Sequence, residues 1–276
     1  MIEVGKDSVL NIKRLTPQGA YLSDGQSDVL LPSKQVPEGA AIGDEVTVFI
    51  YRDSKDRIIS TVRKPLIHLG EIARLKVKQV TKIGAFLDMG LERDLLLPFH
   101  EMTREPVEDR EELVAMYIDK SGRLCATEKL YEYLTSGSDY KKDDEVTGTL
   151  YEISKNFGAF VAVDDKYSAL IPAKEFGGEA KAGDTVTCRV TSVKPDGRLN
   201  LSIRKKAYLQ MNEDADRLLD RIKTEGKLPF TDKADPETIK EETGLSKAAF
   251  KRAVGHLLKK RLIVIKVDGI YERDKH

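Results

Sequence analysis

Lys155-Asn156-Phe157-Gly158-Ala159-Phe160-Val161, with Asp196-Gly197-Arg198-Leu199-Asn200-Leu201-Ser202 downstream, is the stretch on which the reading of this 276-residue chain turns. A glycine before a small residue and an aromatic one, inside an apolar run, suits a strand that passes close to another backbone. Asp196-Gly197 is a tight-turn signal leading into an apolar strand. The pattern occurs twice more upstream. Gly19-Ala20-Tyr21-Leu22 and Gly84-Ala85-Phe86-Leu87 precede Gly158-Ala159-Phe160-Val161. Val29-Leu30-Leu31-Pro32 and Leu95-Leu96-Leu97-Pro98 precede Ala169-Leu170-Ile171-Pro172, at glycine-to-proline intervals of 13, 14 and 14 residues. Gly43-Asp44-Glu45-Val46 is answered by Gly183-Asp184-Thr185-Val186, and more weakly by Glu112-Leu113-Val114 in the middle copy. Each copy closes on an arginine-bearing strand, at Arg57, Arg123 and Arg198. Such ordered recurrence is the mark of tandem structural repeats.

Each copy reads as five short strands, in the third at 145–153, 158–163, 168–172, 185–193 and 198–203. Alternation at Val186, Cys188 and Val190 fits strands half-buried on a small core. Five antiparallel strands of this size close economically as a barrel. From Tyr208 the period changes. Met211, Ala215, Leu218, Leu219 and Ile222 share one face of a helix ending before Gly226. Asp235-Pro236 opens a second helix over 236–243, and Ser246 caps a third whose stripe is Phe250, Ala253, Val254, Leu257 and Leu258. Strands Leu262–Val267 and Ile270–Arg273 flank Asp268-Gly269, a hairpin signal. The expected fold is therefore mainly β with an α+β C-terminal domain. Barrels occupy 1–64, 65–135 and 136–206, and a winged helix 207–276 with 246–260 in the recognition position.

Each repeat resembles the S1 domain, an RNA-binding variety of oligonucleotide-binding barrel. The third resembles it best, through Lys155–Val161 and Asp196–Ser202. The resemblance implies an RNA face built from aromatics, here Tyr21, Phe86, Phe157 and Phe160. Aspartate–arginine pairs follow at Asp53 with Arg57 and Asp119 with Arg123, and Arg198 stands alone in the third copy, where Lys194 replaces the aspartate. The family's histidine is replaced by Pro32, Pro98 and Pro172, and its first aromatic by Gln18 and Ile83 in the first two copies. An unpaired base stacks on an exposed ring whatever its identity, for about 1–3 kcal/mol, and arginine adds phosphate contact or stacking. Alternation requires one of Phe157, Phe160 and Val161 to point inward. The domain order as a whole resembles the bacterial conserved virulence factor B family, which implies an RNA-binding regulator acting after transcription.

Net charge is zero, so the chain is no general polycation. Residues 65–135 carry ten basic and thirteen acidic groups, whereas 246–267 carry seven basic and no acidic ones. Lys247, Lys251, Arg252, Lys259, Lys260 and Arg261 make that run a candidate phosphate contact, since attraction follows local potential. The opening sequence lacks a signal-peptide pattern and no run is long enough for a membrane helix. A soluble cytoplasmic protein is expected, with Cys125 and Cys188 as buried free thiols. His68, His100, His256 and His276 lack metal-ligand spacing, and no phosphate-binding or dinucleotide glycine motif occurs. The acidic cluster Glu101, Glu105, Glu108, Asp109, Glu111 and Glu112 is expected to be a solvated loop rather than a nuclease centre.

No enzyme activity and no cofactor or metal are expected. The leading expectation is single-stranded RNA held across barrels, with help from the winged helix. Two others stay open: a winged-helix regulator on duplex DNA (or RNA), and a scaffold for ribosomal or transcription proteins. The Leu134–Lys142 linker is polar and is expected to flex.

Overall fold

The computed structural model describes residues 2–176, 180–203 and 207–273, and within these the side chains of 207–212 are not described. The predicted places of the Met211 side chain and of His276 thus lie outside the described residues. Residues 1–203 and 204–276 form two compact units.

The first unit holds three closed five-stranded barrels. The first comprises β1 (Asp7–Thr16), β2 (Gly19–Ser23), β3 (Asp28–Pro32), β4 (Glu45–Arg52) and β5 (Ile58–Thr61). The second comprises β6 (Ile72–Thr81), β7 (Gly84–Leu87), β8 (Leu95–Pro98), β9 (Glu111–Ile118) and β10 (Leu124–Thr127). The third comprises β11 (Glu145–Ser154), β12 (Gly158–Val163), β13 (Tyr167–Pro172), β14 (Thr185–Val193) and β15 (Leu199–Ser202). In each barrel the third and fifth strands pair in parallel and close the cylinder. The first strand carries a register shift at the same place each time, between Ile12 and Arg14, Val77 and Gln79, and Leu150 and Glu152. That bulge bends the strand so that it can pair with both the second and the fourth.

The repeated glycine has a steric cause. Gly19, Gly84 and Gly158 have φ of 143°, 147° and 113°, and a Cβ there would lie 1.9, 2.2 and 2.0 Å from the carbonyl oxygens of Leu31, Leu97 and Ile171. Only glycine fits so close an approach between the second and third strands. Inward positions build each core, as with Val146, Leu150, Val161, Ile171, Val190 and Leu201 in the third barrel.

Outward positions join the barrels. Phe49 and Tyr51 of β4 pack with Ile67 into the second barrel's apolar cluster. Leu113 and Ala115 of β9 meet Leu130, Tyr151 and Ala162 in a seam between the second and third barrels. Arg74 locks that seam, donating to both Asp165 oxygens at 2.6 and 2.8 Å and to the Thr149 hydroxyl at 2.7 Å.

Two expectations are corrected here. The acidic cluster is not wholly solvated, because Glu112 lies on β9 in register with Leu75 and is buried between Arg104 and Arg110. The linker is pinned at its start. The Thr135 amide donates to the Lys166 carbonyl and the Ser168 amide to the Thr135 carbonyl, both at 2.9 Å, and the Gly137 amide donates to Gly197.

The second unit comprises α1 (Ala207–Glu225), β16 (Lys227–Leu228), α2 (Pro236–Thr243), α3 (Lys247–Lys259), β17 (Ile263–Lys266) and β18 (Gly269–Glu272). The Asp235 carboxylate accepts from the Thr238 amide to start α2, and Gly244 ends it in the left-handed region at φ 70°. The Ser246 hydroxyl accepts from the Ala249 amide to start α3. Phe250, fully buried, packs on Leu218, Ile222, Ile239 and Ile270, a burial worth about 1.5–3 kcal/mol. β16 adds a third strand to the wing, in the order β16-β18-β17. The sequence reading missed it because two residues carry no period.

Candidate nucleic-acid interface

Strand registers line up one outward row across each barrel. In the first it runs Arg14, Tyr21, Leu30, Ile59, Tyr51. In the second it runs Gln79, Phe86, Leu96, Cys125, Tyr117. In the third it runs Glu152, Phe160, Leu170, Asn200, Ser192. An aromatic on the second strand therefore stands beside a leucine on the third in all three repeats. Tyr21, Phe86 and Phe160 are each half-buried. Of the three residues weighed for alternation, Val161 is the one buried inside.

The surroundings of these rows differ. In the first barrel the Arg14 guanidinium lies 3.9 Å from the centre of the Tyr21 ring, which leaves this ring with a cation already on it. The row ends at Tyr51, buried against the second barrel. In the second barrel the row passes through buried Cys125, whose thiol is pushed up to about 11 by burial and the nearby Asp119 charge.

The aspartate–arginine positions form one repeated hairpin. The amides of Asp53, Asp119 and Lys194 donate to the carbonyls of Arg57, Arg123 and Arg198. A residue of positive φ follows at Asp56, Gly122 and Gly197. Asp53 takes two hydrogen bonds from the Arg57 guanidinium, at 2.9 and 2.6 Å. Burial pushes the Asp53 carboxyl up, but the bonds from Arg57 and the Lys55 amide outweigh it and hold the group below its ordinary value. Asp119 instead accepts from the amides of Ser121 and Arg123 and from the Ser121 hydroxyl. The Arg123 side chain reaches across to Asp56 at 3.1 Å. Arg52 donates to the Gly122 carbonyl at 2.9 Å, and Arg93 donates to the carbonyls of Arg52 and Asp53. The hairpins of the first two barrels are thus fastened to one another.

The third barrel is the more open. Phe157, in the turn just before β12, is 65% exposed. Phe160 sits at the edge of the seam, its ring 6.0 Å from Tyr151 and 6.1 Å from Tyr131. Arg198 lies over the Tyr131 ring at 4.6 Å and also bonds its hydroxyl. Tyr131 was missed by the sequence reading because it follows the last strand of the second barrel, between β10 and β11, and matches no position of the repeat. Burial pushes the Tyr151 phenol well above its ordinary range, so it stays neutral beneath Phe160.

In the winged helix, Lys247 is half-buried, while Lys251, Arg252, Lys259, Lys260 and Arg261 are exposed. Lys247 with Lys251, and Arg252 with Lys259, fall on common stripes of α3. Among the described residues the domain's ion pairs join Arg221 to Glu225 and Glu242 and Lys227 to Asp268, and none involves these six cations. On the wing, Lys266 lies 4.5 Å from the centre of the Tyr271 ring. No helix among the described residues is long and apolar enough to cross a membrane.

The chain matches family models along most of its length. The S1 domain matches residues 4–63 and 69–129. The second domain of the virulence regulatory factor CvfB matches 132–205, and the CvfB-like winged helix domain matches 216–271. An uncharacterized Bacillus subtilis protein, YitL, is 34% identical over 98% of this chain and 93% of its own length. Conserved virulence factor B of Staphylococcus saprophyticus is 30% identical over 81% of this chain and 78% of its own. A crystal structure from Streptococcus pneumoniae, described as a multidomain protein with nucleic acid binding domains, superposes with a TM-score of 0.50 at 21% identity, over 98% of both chains. Three S1-like barrels joined to a matching winged helix, with full-length relatives at this identity, place the chain in the conserved virulence factor B family.

Proposed function

We propose that this chain is a non-catalytic nucleic-acid-binding protein of the cytoplasm that holds single-stranded RNA and regulates gene expression after transcription. The observation that carries the reading is Phe157, a ring 65% exposed in the turn that leads into β12 of the third barrel. An exposed apolar residue is common on a protein surface; Phe157 is singled out because its ring stands at the first-to-second strand turn of an oligonucleotide-binding barrel, where it can offer its π-face to an unpaired base. Arg198, over the Tyr131 ring that meets Phe160, supplies charge to this barrel, and the α3 cations supply a second, purely electrostatic contact on the same chain. Two weak sites that engage one strand together reach an affinity that neither has alone. The description of the pneumococcal structure as having nucleic acid binding domains supports contact with nucleic acid, and the family's name as a virulence regulatory factor supports a regulatory setting. Glu112, the most buried member of the acidic cluster, is committed to two arginines, which favours a structural use of that cluster over catalysis.

The test is a fluorescence-anisotropy titration of the full chain with a short labelled single-stranded oligoribonucleotide at low salt, against duplex DNA. Single-stranded RNA is expected to bind more tightly, and Phe157→Ala to weaken it by about five- to tenfold. Neutralising Lys251 and Arg252 should weaken RNA uniformly and flatten the salt dependence. Undetectable RNA binding, or tighter sequence-dependent binding to duplex DNA, would overturn the proposal in favour of a transcription regulator.

A further inference from the structure

The segment that follows β10 brings an aromatic group to the third barrel's face. Thr61 and Thr127 end corresponding strands, and four residues on stand Pro65 after β5 and Tyr131 after β10. Tyr131 therefore is an addition to the repeat. Its placement does not come from burying its own ring, which is 38% exposed. Its neighbour Leu130 is fully buried in the seam, and the Leu130 carbonyl accepts from the amides of Tyr133 and Leu134, closing a turn. The anchored turn holds Tyr131 out against Phe160, edge-on at 90°. The Arg198 guanidinium then lies over the ring and bonds its hydroxyl.

This is a ring held in a fixed pose, partly in water, beside a second ring and under a cation. The barrel's own pattern lacks an aromatic or histidine at Pro172, so its stacking surface would otherwise consist of Phe157 and Phe160. We propose that Tyr131 is a base-stacking residue of the third barrel, supplied from outside it, with Arg198 fixing the ring and offering its charge to the strand's backbone. The inference rests on the reading of this barrel as an RNA face and adds a residue to it. The ligand class is an unpaired, splayed nucleobase of a single strand, recognised by its π-face without regard to identity. A rigid tyrosine stacks at small entropic cost because it has few rotatable bonds to immobilise.

The same geometry would also suit a plug, in which Tyr131 occupies the face and must leave before RNA binds. The two roles predict effects of opposite sign. Full-length Tyr131→Ala, Tyr131→Phe and Phe157→Ala are titrated with a labelled single-stranded oligoribonucleotide. Tyr131→Ala is expected to weaken binding about tenfold with an unchanged salt slope, since no cation is lost. Tyr131→Phe keeps the ring and is expected to stay within about twofold of the parent, as stacking needs no hydroxyl.

If Phe157→Ala weakens binding while Tyr131→Ala leaves it unchanged or tightens it, this inference falls and the RNA face stands. If neither variant changes binding, the RNA face of this barrel falls with it. Equal losses in Tyr131→Ala and Tyr131→Phe would assign the effect to the hydroxyl–Arg198 contact and overturn stacking. Photocrosslinking of thiouridine-substituted RNA to the unmodified chain needs no variant. An adduct on the peptide carrying Tyr131 is expected, and adducts at Phe157 without one at Tyr131 would overturn the assignment.

Discussion

Arg104→Ala tests the charge buried at the junction of the second and third barrels. The Glu112 side chain is 2% exposed, and its Oε2 accepts from Arg104 Nε at 2.9 Å while Oε1 accepts from Arg110 Nε at 2.8 Å. Arg104 continues across the third barrel's Gly183, where a Cβ would collide with the guanidinium. Removing Arg104 takes one of two partners from a carboxylate that cannot reach water. Breaking a buried pair by deleting one member costs about 3–5 kcal/mol, because a charge is left uncompensated. Arg110 remains, so the lower end, about 3 kcal/mol, is expected. For a unit of this size that is a fall in Tm of about 6–12 °C.

The same reasoning predicts non-additivity. In a Glu112→Leu background there is no buried carboxylate left to lose a partner, and Arg104→Ala should cost about 1 kcal/mol or less. Urea unfolding followed by hydrogen exchange at β9 and β11 amides measures both differences in the barrel unit without interference from the winged helix. Equal cost in the two backgrounds would refute the electrostatic account and assign the stability to packing of Arg104 over Gly183.

Glu128 should respond to pH in the opposite sense to an ordinary ion-paired carboxylate. Burial is the largest influence on it and raises its pKa, outweighing the bonds from the Thr103 amide and hydroxyl. Its protonated form is therefore favoured by folding. The stabilising effect of protonation is fully present below the unfolded-state value and is lost as pH rises through the folded one. Glu128→Gln is expected to raise the Tm at neutral pH and to have little effect in acid; a uniform shift across pH would contradict this. Cys125 and Cys188 are both pushed up to about 11, with burial the largest cause. At pH 8 only about a thousandth of each is thiolate, so neither should react with an alkylating reagent until the chain unfolds. Rapid labelling of the native chain would show that the strands carrying them open locally.

The repeat made the fold legible, because its constraints are local. The close approach at Gly19, Gly84 and Gly158 and the turns at Gly122 and Gly197 each need a particular residue at a particular place, and three copies expose the pattern. The asymmetry among the barrels was legible only in part. Missing aromatics in the first two copies pointed toward the third, but the contacts that engage the first two hairpins did not show. Arg123 meets Asp56 and Arg52 meets Gly122 across 67 and 70 residues, and a backbone carbonyl that accepts from Arg93 has no residue identity to recognise. Tyr131 is not legible for the opposite reason, since it lies outside the repeat and has no aromatic counterpart in the other copies.

These contacts explain why one repeat serves different ends along one chain. An arginine at the head of the fifth strand can meet a ligand, an internal aspartate or a neighbouring barrel, and the chain uses the last two at Arg57 and Arg123. Each such bond replaces an external contact with an internal one and makes the first two barrels a firmer base. At Arg198 the principal partner is an aromatic ring that is itself partly in water, so the contact prepares a surface as well as closing a joint. The fixed packing of the barrels and the openness of the third face are thus two outcomes of one repeated position, decided by what the neighbouring segment presents to it.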